Sequence, residues 1–362
     1  MMRQRFMFER ALCAVLWVAA CSQGAGDGKP GDIPYERLSD YGFFVGDLRD
    51  LEPAAGVVPY RVVSPLWADH AGKARFVVLP EGEKATFDPG ETWSFPPGTI
   101  VIKNFFFDLD RRDPGGEARI VETRLLVRDE TEGWVPYTYI WAEDESDAYF
   151  HAAGDRIEVH FVDENGAEAE QEYIVPNTDE CDSCHARDDE THLLGLVTPQ
   201  VNFEGELGDG TVGNQLERLA DAGIFDGPIP ATDTLPRFVD PFGTAPLTDR
   251  VRSYLHANCS HCHRPGGDAA QAGLDFTAFD PDPLPAKLGV CKEPVAAGPG
   301  TGGREYDVVP GLPDESILVY RMESTDPETR MPELPIRIPH ADGIALVREW
   351  ITSMEPVGCG TP

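Results

Sequence analysis

Basic residues are scarce in this sequence. Lys and Arg together number 30 against 63 Asp and Glu, which gives the 362-residue chain a formal net charge of −33. Nucleic acids and anionic membrane surfaces are therefore poor partners, because most of the protein surface would repel them. Surface charge of this kind also serves solubility. The charge excludes two classes of partner and is compatible with a basic one.

Common catalytic signatures are also missing. No nucleophile with a neighbouring base stands out in the sequence, and no Gly-rich phosphate loop does. The Gly-rich stretch Gly298–Gly303 (GPGTGG) is not followed by the Lys of a P-loop and is typical of a loop within a domain. The sequence therefore indicates neither kind of site.

Cysteine is rare as well, yet four of the eight cysteines belong to two copies of one pattern, CDSCH at Cys181–His185 and CSHCH at Cys259–His263. Cys-x-x-Cys-His is typical of haem c attachment, because two thiols can add to the porphyrin vinyl groups while the adjacent His reaches the iron. Zinc is the alternative, but it needs four ligands in a tetrahedron. We therefore predict two covalent haems. The predicted thioether cysteines and proximal histidines are Cys181, Cys184, Cys259, Cys262, His185 and His263.

The N-terminus has the features of an export signal, which haem c attachment outside the cytoplasmic membrane requires. Three Arg in the first ten residues precede the apolar run Ala11–Ala20. This run is too short for a transmembrane span and typical of a signal peptide. VAAC at Val18–Cys21 resembles the lipobox of bacterial lipoproteins. By that resemblance residues 1–20 are removed and Cys21 is lipidated, whereas an ordinary signal peptide cut near Ala20 is the alternative.

The segment after the signal is Gly-rich and polar, so residues 21–33 are predicted to form a flexible tether. Ser22 directly after Cys21 is compatible with outer-membrane sorting in Gram-negative bacteria. Loss of residues 1–20 removes three Arg and one Glu, which changes the formal charge from −33 to −35. We expect an exported, periplasm-facing lipoprotein at the outer membrane, held there by its lipid anchor.

When the cysteines of the signal peptide, of the lipidation site (Cys21) and of the haem motifs are set aside, two cysteines remain. Cys291 and Cys359 form an even pair in an oxidising compartment, which favours a disulfide, although the pair could also stay reduced. Closing a loop of this length would add on the order of 4 kcal/mol of stability by constraining the unfolded chain. The bond would fix the C-terminal tail to its domain.

The chain is too long for one compact core, so we expect a multidomain protein. Residues 34–176 contain strand-like runs rich in Val, Ile, Phe, Tyr and Thr, separated by Gly- and Pro-containing turns. They predict an all-β domain, either an antiparallel sandwich or an open barrel. A mainly α-helical cytochrome c-like part follows, with a first haem region at 177–246 and a second haem domain at 247–362. Its helical patterns are Asn214–Phe225, Leu247–Cys259 and Ala341–Met354.

The second haem domain resembles a class I cytochrome c domain. A helix leads into Cys259–His263, loops follow, a Met precedes Pro, and a helix ends the domain. The resemblance implies that Met331 is the distal iron ligand, whose soft thioether would favour ferrous iron and raise the potential. The rival is Met322, but it lies within an apparent helix, where a core Met is commoner.

The first haem region departs from the class I pattern, because its motif follows a strand and the predicted turn 176–180 rather than a helix. Every Met of the mature chain lies beyond His263, so its distal ligand must be a His or the site stays open. His192 is the nearest candidate after His185, although most lone His residues have no such role. The more remote candidates are His70, His151 and His160.

Longer stretches resemble a family of dihaem c-type cytochromes from Gram-negative bacteria. They follow the same order over nearly the whole mature chain, and the resemblance implies an exported dihaem electron-transfer protein. The stretches are SDYGFFVGDL, YRVVSPLWADHAGKARFVVLPEG, WSFPPGTIVIKNFFFD, VETRLLVR, NQLERLADAGIF, YLHANCSHCHRPGG and YDVVPGLPDESILVYRMESTDPETRMPEL.

The sequence therefore favours an electron carrier with redox proteins, including basic ones, as partners. The main alternative is a haem enzyme, such as a dihaem peroxidase or the haem subunit of a dehydrogenase, in which the first haem has an open coordination site. A third hypothesis is a binding or assembly module built on the β-rich domain. Carbon monoxide binding would discriminate the carrier from the enzyme.

Overall fold

The computed structural model describes residues 33–360, except for residues 91, 189, 207–210, 296–297, 334–335 and 357. The predictions for the signal peptide, for lipidation at Cys21 and for the tether up to residue 32 lie outside the described residues. Among the helices that are described, none is long and apolar enough to cross a membrane.

A six-stranded antiparallel sheet dominates the N-terminal half. Each strand pairs with the next one along the chain, and β1 and β6 lie at the two edges. The predicted antiparallel β-rich region is therefore confirmed, as an open sheet. The strands are β1 (Val57–Tyr60), β2 (Gly72–Val78), β3 (Ile100–Asp108), β4 (Ala118–Asp129), β5 (Gly133–Trp141) and β6 (Ala148–Phe150).

The two faces of this sheet pack against different parts of the chain, because successive side chains of a strand point to opposite faces. On one face, Ile102, Leu125 and Tyr139 pack with the N-terminal Leu38 and Phe43. On the other face, the hairpin of β7 (Asp155–Val162) and β8 (Glu168–Val175) packs on part of β3 through a separate apolar cluster. That cluster includes Phe105, Phe107, Val159 and Tyr173.

The same second face carries a separate apolar cluster that reaches the first helical segments. Val77 and Val101 pack there with Leu196, Leu216 and Leu219. This part of the chain also contains two short antiparallel β-ladders, in which the chain reverses direction. They pair β9 (Ala186–Arg187) with β10 (Glu190–Thr191), and β11 (Glu204–Glu206) with β12 (Val212–Asn214).

All α-helices of the described chain follow the β-rich region. The three predicted helical patterns correspond to α3, α4 and α6, because each has an apolar face that packs on a core. The helices are α1 (Thr178–His185), α2 (Thr198–Val201), α3 (Gln215–Asp221), α4 (Leu247–Asn258), α5 (Ile317–Glu323) and α6 (Ala341–Ser353).

The last three helices share one apolar core, in which Val251 and Leu255 of α4 pack with Val347 and Ile351 of α6. The close approach of α4 and α6 requires a glycine at Gly343, because a Cβ there would collide with the ring of Tyr254. A disulfide joins Cys291 to Cys359, as the sequence predicts, and ties the C-terminal tail to this part of the chain.

The connection between β1 and β2 holds the helical part against the sheet. The indole N–H of Trp67 donates to the carbonyl of Ile338 at 2.8 Å, and its backbone N–H donates to the side chain of Asn258 at 2.7 Å. The buried Asp69 carboxylate accepts backbone N–H bonds from Arg337 and Ile338, both at 2.9 Å. Burial raises the pKa of Asp69, and these two bonds partly offset that effect.

Candidate functional site

The first Cys-x-x-Cys-His motif lies on a short capped helix. The Asn177 side chain accepts from the backbone N–H of Glu180 at 2.9 Å, and the Glu180 carboxylate accepts from the backbone N–H of Asn177 at 2.8 Å. This capping box starts α1. Cys181, Cys184 and His185 share one face of the helix, since they are three and four residues apart. The turn predicted for residues 176–180 is therefore wrong, because most of it forms the start of α1.

The His185 ring is fixed by a hydrogen bond to the backbone. Its Nδ1 donates to the carbonyl of His192 at 2.7 Å, and the His192 backbone N–H donates to the carbonyl of His185 at 2.8 Å. The pairing of β9 with β10 brings the two residues together. With Nδ1 as the donor, Nε2 carries the lone pair that a metal ligand needs. This arrangement fits a proximal iron ligand.

The His192 side chain is directed elsewhere. Its Nε2 lies 3.2 Å from the carbonyl of Arg187, and its Nδ1 lies 3.4 Å from the Arg187 guanidinium. The residue sits on the Nδ1 side of His185, whereas a distal ligand must lie across the porphyrin from His185 Nε2. This placement disfavours His192 as the distal ligand and gives its carbonyl an orienting role.

The three remote histidines have other contacts. His70 packs edge-on against Trp67 with a ring centroid distance of 4.6 Å. His151 Nε2 lies 3.1 Å from the carbonyl of Gly154. The exposed His160 Nε2 lies 2.9 Å from a Glu158 carboxylate oxygen. None of these contacts involves the first motif.

The second motif follows a helix instead of lying on one. Cys259 is the C-cap of α4, and the backbone N–H of His263 donates to the carbonyl of Cys259 at 2.9 Å. The His263 ring packs edge-on against Phe276 at 5.6 Å. Its buried Nδ1 has no hydrogen-bond partner among the described residues. Burial lowers the pKa of His263 to about 4, which keeps the imidazole neutral as metal ligation requires.

A cavity of about 510 Å³ adjoins this second motif. Its volume lies within the roughly 300–1,000 Å³ typical of cofactor sites. Cys259, Cys262, His263 and Met331 all contribute to its wall, so the structure brings together the four residues that the class I resemblance implies. Met322 also reaches the wall, from the core of the last three helices. The apolar lining includes Leu274, Phe276, Leu288, Ile317, Leu318 and Ile344.

The two motifs touch each other. The Cys262 sulfur lies 3.2 Å from the carbonyl oxygen of Ser183, between the cysteines of the first motif. The thiols of Cys184 and Cys262 are within hydrogen-bonding distance, and Ser183 and Cys184 belong to the wall of the large cavity. The two attachment points are therefore adjacent in space, although 78 residues separate Cys184 from Cys262.

The geometry does not favour the zinc alternative. Within the described ranges, the ligand atoms of three or more Cys, His, Asp or Glu residues converge only at Glu158, His160 and Glu170, on the exposed face of the β7–β8 hairpin. Burial raises the pKa of the Cys181 thiol to about 11 and that of the Cys259 thiol to about 12, whereas the hydrogen bond with Cys262 lowers the pKa of Cys184 to about 3. Neither motif thus offers a ready set of four thiolate and imidazole ligands.

Sequence reasoning missed two histidines at the second motif. His256 and His261 line a small cavity of about 40 Å³ together with His185 and His192. The His256 Nδ1 accepts from the backbone N–H of Ala278 at 3.2 Å, and burial lowers the pKa of His256 to about 3. His256 lies three residues before Cys259, and His261 lies inside the second motif. These positions in the sequence could have identified both residues.

Sequence reasoning also missed a group of cations on the sheet. Lys73, Arg75, Lys103 and Arg124 interrupt otherwise apolar strands, which was the available signal. The pKa of His185 is lowered by burial and, to a lesser degree, by the positive charges of Lys103 and Arg124. This part of the sheet therefore lies close to the first motif.

No family model matches the chain, and no characterised protein or solved structure shows a significant similarity to it.

Proposed function

We propose that this protein is a dihaem c-type cytochrome that transfers electrons outside the cytoplasmic membrane. The observation that carries the proposal is the convergence of Cys259, Cys262, His263 and Met331 on one cofactor-sized cavity, with Cys184 of the first motif in the same wall. Metal-binding or structural cysteine pairs would not need an apolar cavity beside them, whereas a porphyrin would.

The residues present fit covalent haem at both motifs. Four cysteines would hold two porphyrins as thioethers, and two histidines would bind the iron. Haem iron, when bound, supplies a one-electron ferric/ferrous couple. The carbonyl of His192 holds His185 in the tautomer that offers Nε2 and makes the ring more basic. At the second site, Met331 offers a soft thioether, and the apolar lining excludes water, which favours the ferrous state.

The proposal extends to the organisation of the chain. Residues 34–176 would be a β-rich domain, 177–246 a first haem region, and 247–362 a class I-like haem domain. The order of α4, motif, Met331 and α6 supports the last assignment, as does the packing of α4 on α6 at Gly343. The disulfide between Cys291 and Cys359 supports an oxidising compartment and hence export.

A haem enzyme is the second candidate. The observation that favours it is the first site, where every described Met lies in the C-terminal part of the chain and the His192 side chain contacts Arg187. A first haem with an open position would bind small molecules.

The test uses the exported protein made together with haem-attachment machinery. Intact mass should show two haem additions in the wild type and one in each double variant, Cys181→Ser/Cys184→Ser and Cys259→Ser/Cys262→Ser. The matched control is Cys291→Ser/Cys359→Ser, which removes two cysteines outside the motifs and should keep both haems. A wild type with one haem or none would refute the proposal. Two haems with rapid carbon monoxide binding would favour the enzyme over the carrier.

A further inference from the structure

Three cationic side chains lie side by side across the middle of the sheet. Arg75 of β2 pairs in register with Lys103 of β3, and Lys103 pairs with Arg124 of β4. Lys73 lies two residues before Arg75 and therefore on the same face. The cationic row, defined as these four residues, separates the apolar cluster around Val101 from the one around Phe105.

Two members of the cationic row already have partners. The Arg124 guanidinium pairs with both oxygens of the Glu122 carboxylate, at 2.5 and 2.9 Å, and the Tyr173 hydroxyl donates to the same carboxylate at 2.7 Å. The Lys73 ammonium donates to the carbonyls of Leu66 and Ala71, both at 2.8 Å. Arg124 thus has a carboxylate partner, and Lys73 uses two of its three N–H donors.

The other two members lack an anion, as Lys73 does, and they also lack the close hydrogen bonds that Lys73 has. Among the described residues, neither Arg75 nor Lys103 forms an ion pair with a carboxylate. Arg75 reaches only the carbonyl of Lys73, at 3.5 Å, and the Lys103 ammonium lies 4.9 Å above the ring of Phe105. Burial lowers the pKa of both residues, and the neighbouring cations lower that of Lys103 further.

This arrangement is costly for the chain by itself. Four cations and one carboxylate meet on a largely covered face, where unpaired charge is strongly unfavourable. Among the described residues, Glu122 is the carboxylate that pairs with the cationic row. The unpaired charge of Arg75 and Lys103 therefore indicates a ligand that brings anionic groups.

The first motif lies next to the cationic row. Helix α1 contacts β5, which neighbours β4. The charges of Lys103 and Arg124 act on His185, and that of Arg124 acts also on Cys181. A porphyrin attached to α1 would thus have Lys103 within its surroundings, and Arg75 lies beside Lys103 in register.

We propose that Arg75 and Lys103 bind the two propionate carboxylates of the haem held by Cys181 and Cys184. This inference rests on the proposed function. Arg75 offers a planar guanidinium that can bind a carboxylate through two N–H groups, and Lys103 offers a point charge. The row then neutralises the ligand, and the ligand relieves the repulsion within the row.

The test measures midpoint potentials by spectroelectrochemistry in the full dihaem protein. Arg75→Gln and Lys103→Met remove one charge each and keep most of the side-chain volume. Each should lower the potential of one haem, because a nearby positive charge destabilises the ferric state. We expect about a tenfold change in the ferric/ferrous equilibrium, about 59 mV for one electron. The matched control, Arg156→Gln, removes an exposed cation of the β7–β8 hairpin and should change neither potential.

A second readout separates binding of propionates from general electrostatics. Loss of either cation should move the pH-dependent part of that haem's potential to higher pH, because the propionate would hold its proton more tightly. The charge-conserving variants Arg75→Lys and Lys103→Arg should restore most of the wild-type behaviour. Circular dichroism checks folding, which should persist because each neutral variant relieves repulsion.

Three outcomes would overturn the inference. The first is a wild type with two haems in which Arg75→Gln and Lys103→Met have the same midpoint potentials and pH dependence as Arg156→Gln. This result would refute the inference and leave the proposed function intact. Carbon monoxide binding that appears in Lys103→Met and not in Arg75→Gln would identify Lys103 as an axial ligand instead. A wild type without haem at Cys181 and Cys184 would refute both the proposed function and the inference.

Discussion

The two Cys-x-x-Cys-His motifs share a sequence pattern but have different surroundings. His185 lies on α1, with its Nδ1 bonded to a carbonyl and a row of cations nearby. His263 follows α4, with a buried Nδ1 that has no partner among the described residues, beside an apolar cavity that contains Met331. The pattern predicts attachment, whereas the surroundings tune the metal. The comparison teaches that two equal motifs need not form equal redox centres.

The largest expected effect distinguishes the motifs by stability. Cys259→Ser/Cys262→Ser should lower the melting temperature by more than about 10 °C, or several kcal/mol at roughly 2–4 °C per kcal/mol. The reason is that the second haem would fill the 510 Å³ cavity inside the core of α4, α5 and α6. Cys181→Ser/Cys184→Ser should have a smaller effect. Thermal unfolding followed by circular dichroism measures both, and equal losses would contradict the comparison.

The next effect concerns the distal ligand of the second site. Met331→Ala should abolish the sulfur-to-iron absorption band and lower one potential by about 120 mV, a hundredfold change in the equilibrium. The first haem should keep its spectrum. The control Met322→Leu replaces the other cavity Met with little change in volume and should keep the band. Persistence of the band in Met331→Ala would identify Met322 as the ligand.

The third effect tests the cationic row in the haem-free protein. Burial, with Arg75 and Arg124 nearby, lowers the pKa of Lys73 to about 7, and the nearby Asp69 partly opposes this. As the pH rises, the folded state therefore releases the Lys73 proton before the unfolded state does. Between pH 7 and about 10.5 the unfolded state binds more protons than the folded state. The contribution of Lys73 to the free energy of unfolding should therefore rise with pH across that window, by no more than about 1.4 kcal/mol per pH unit.

Urea unfolding at pH 7, 8 and 9 measures this slope. The variant Lys73→Met should flatten it, and Arg156→Gln should not. An equal slope in Lys73→Met and wild type would show that Lys73 does not titrate in this window.

The smallest effect is expected at His192. Because its carbonyl and not its ring contacts His185, His192→Ala should leave the absorption spectra and carbon monoxide binding of both haems unchanged. The control His151→Ala should behave in the same way. A first haem that becomes high-spin and binds carbon monoxide in His192→Ala would restore His192 as the distal ligand and contradict the placement described above.

Much of the fold follows from local sequence patterns. Alternating β-branched and aromatic residues predict the sheet, and apolar periodicity predicts α3, α4 and α6, because one face of each element is buried. The pairing of Cys291 with Cys359 follows from elimination of the other cysteines. Local patterns did not predict helix α1, because none of its residues is buried and the helix has no apolar face. Its capping pair, Asn177 and Glu180, was the available signal.

The arrangement of the site depends on contacts that no local pattern encodes. The pairing of Arg75 with Lys103 and Arg124 arises from strand register, which brings together residues far apart in sequence. The contact of Cys262 with Ser183 joins two motifs whose order along the chain says nothing of their distance. The class I resemblance could predict that Met331 lies in the cavity wall, because the class I pattern includes residues that are far apart in sequence.

Under the proposed function, the connection between β1 and β2 would affect the speed of electron exchange. Trp67 bonds to Asn258, just before the second motif, and also to Ile338, which follows Met331 in the chain. Asp69 adds two further bonds to the second of these segments. The sheet thus holds the walls of the cavity beside His263 and Met331 from outside. Under the proposed function, this bracing would keep their separation nearly the same in both oxidation states. We expect a centre braced in this way to have a small reorganisation energy.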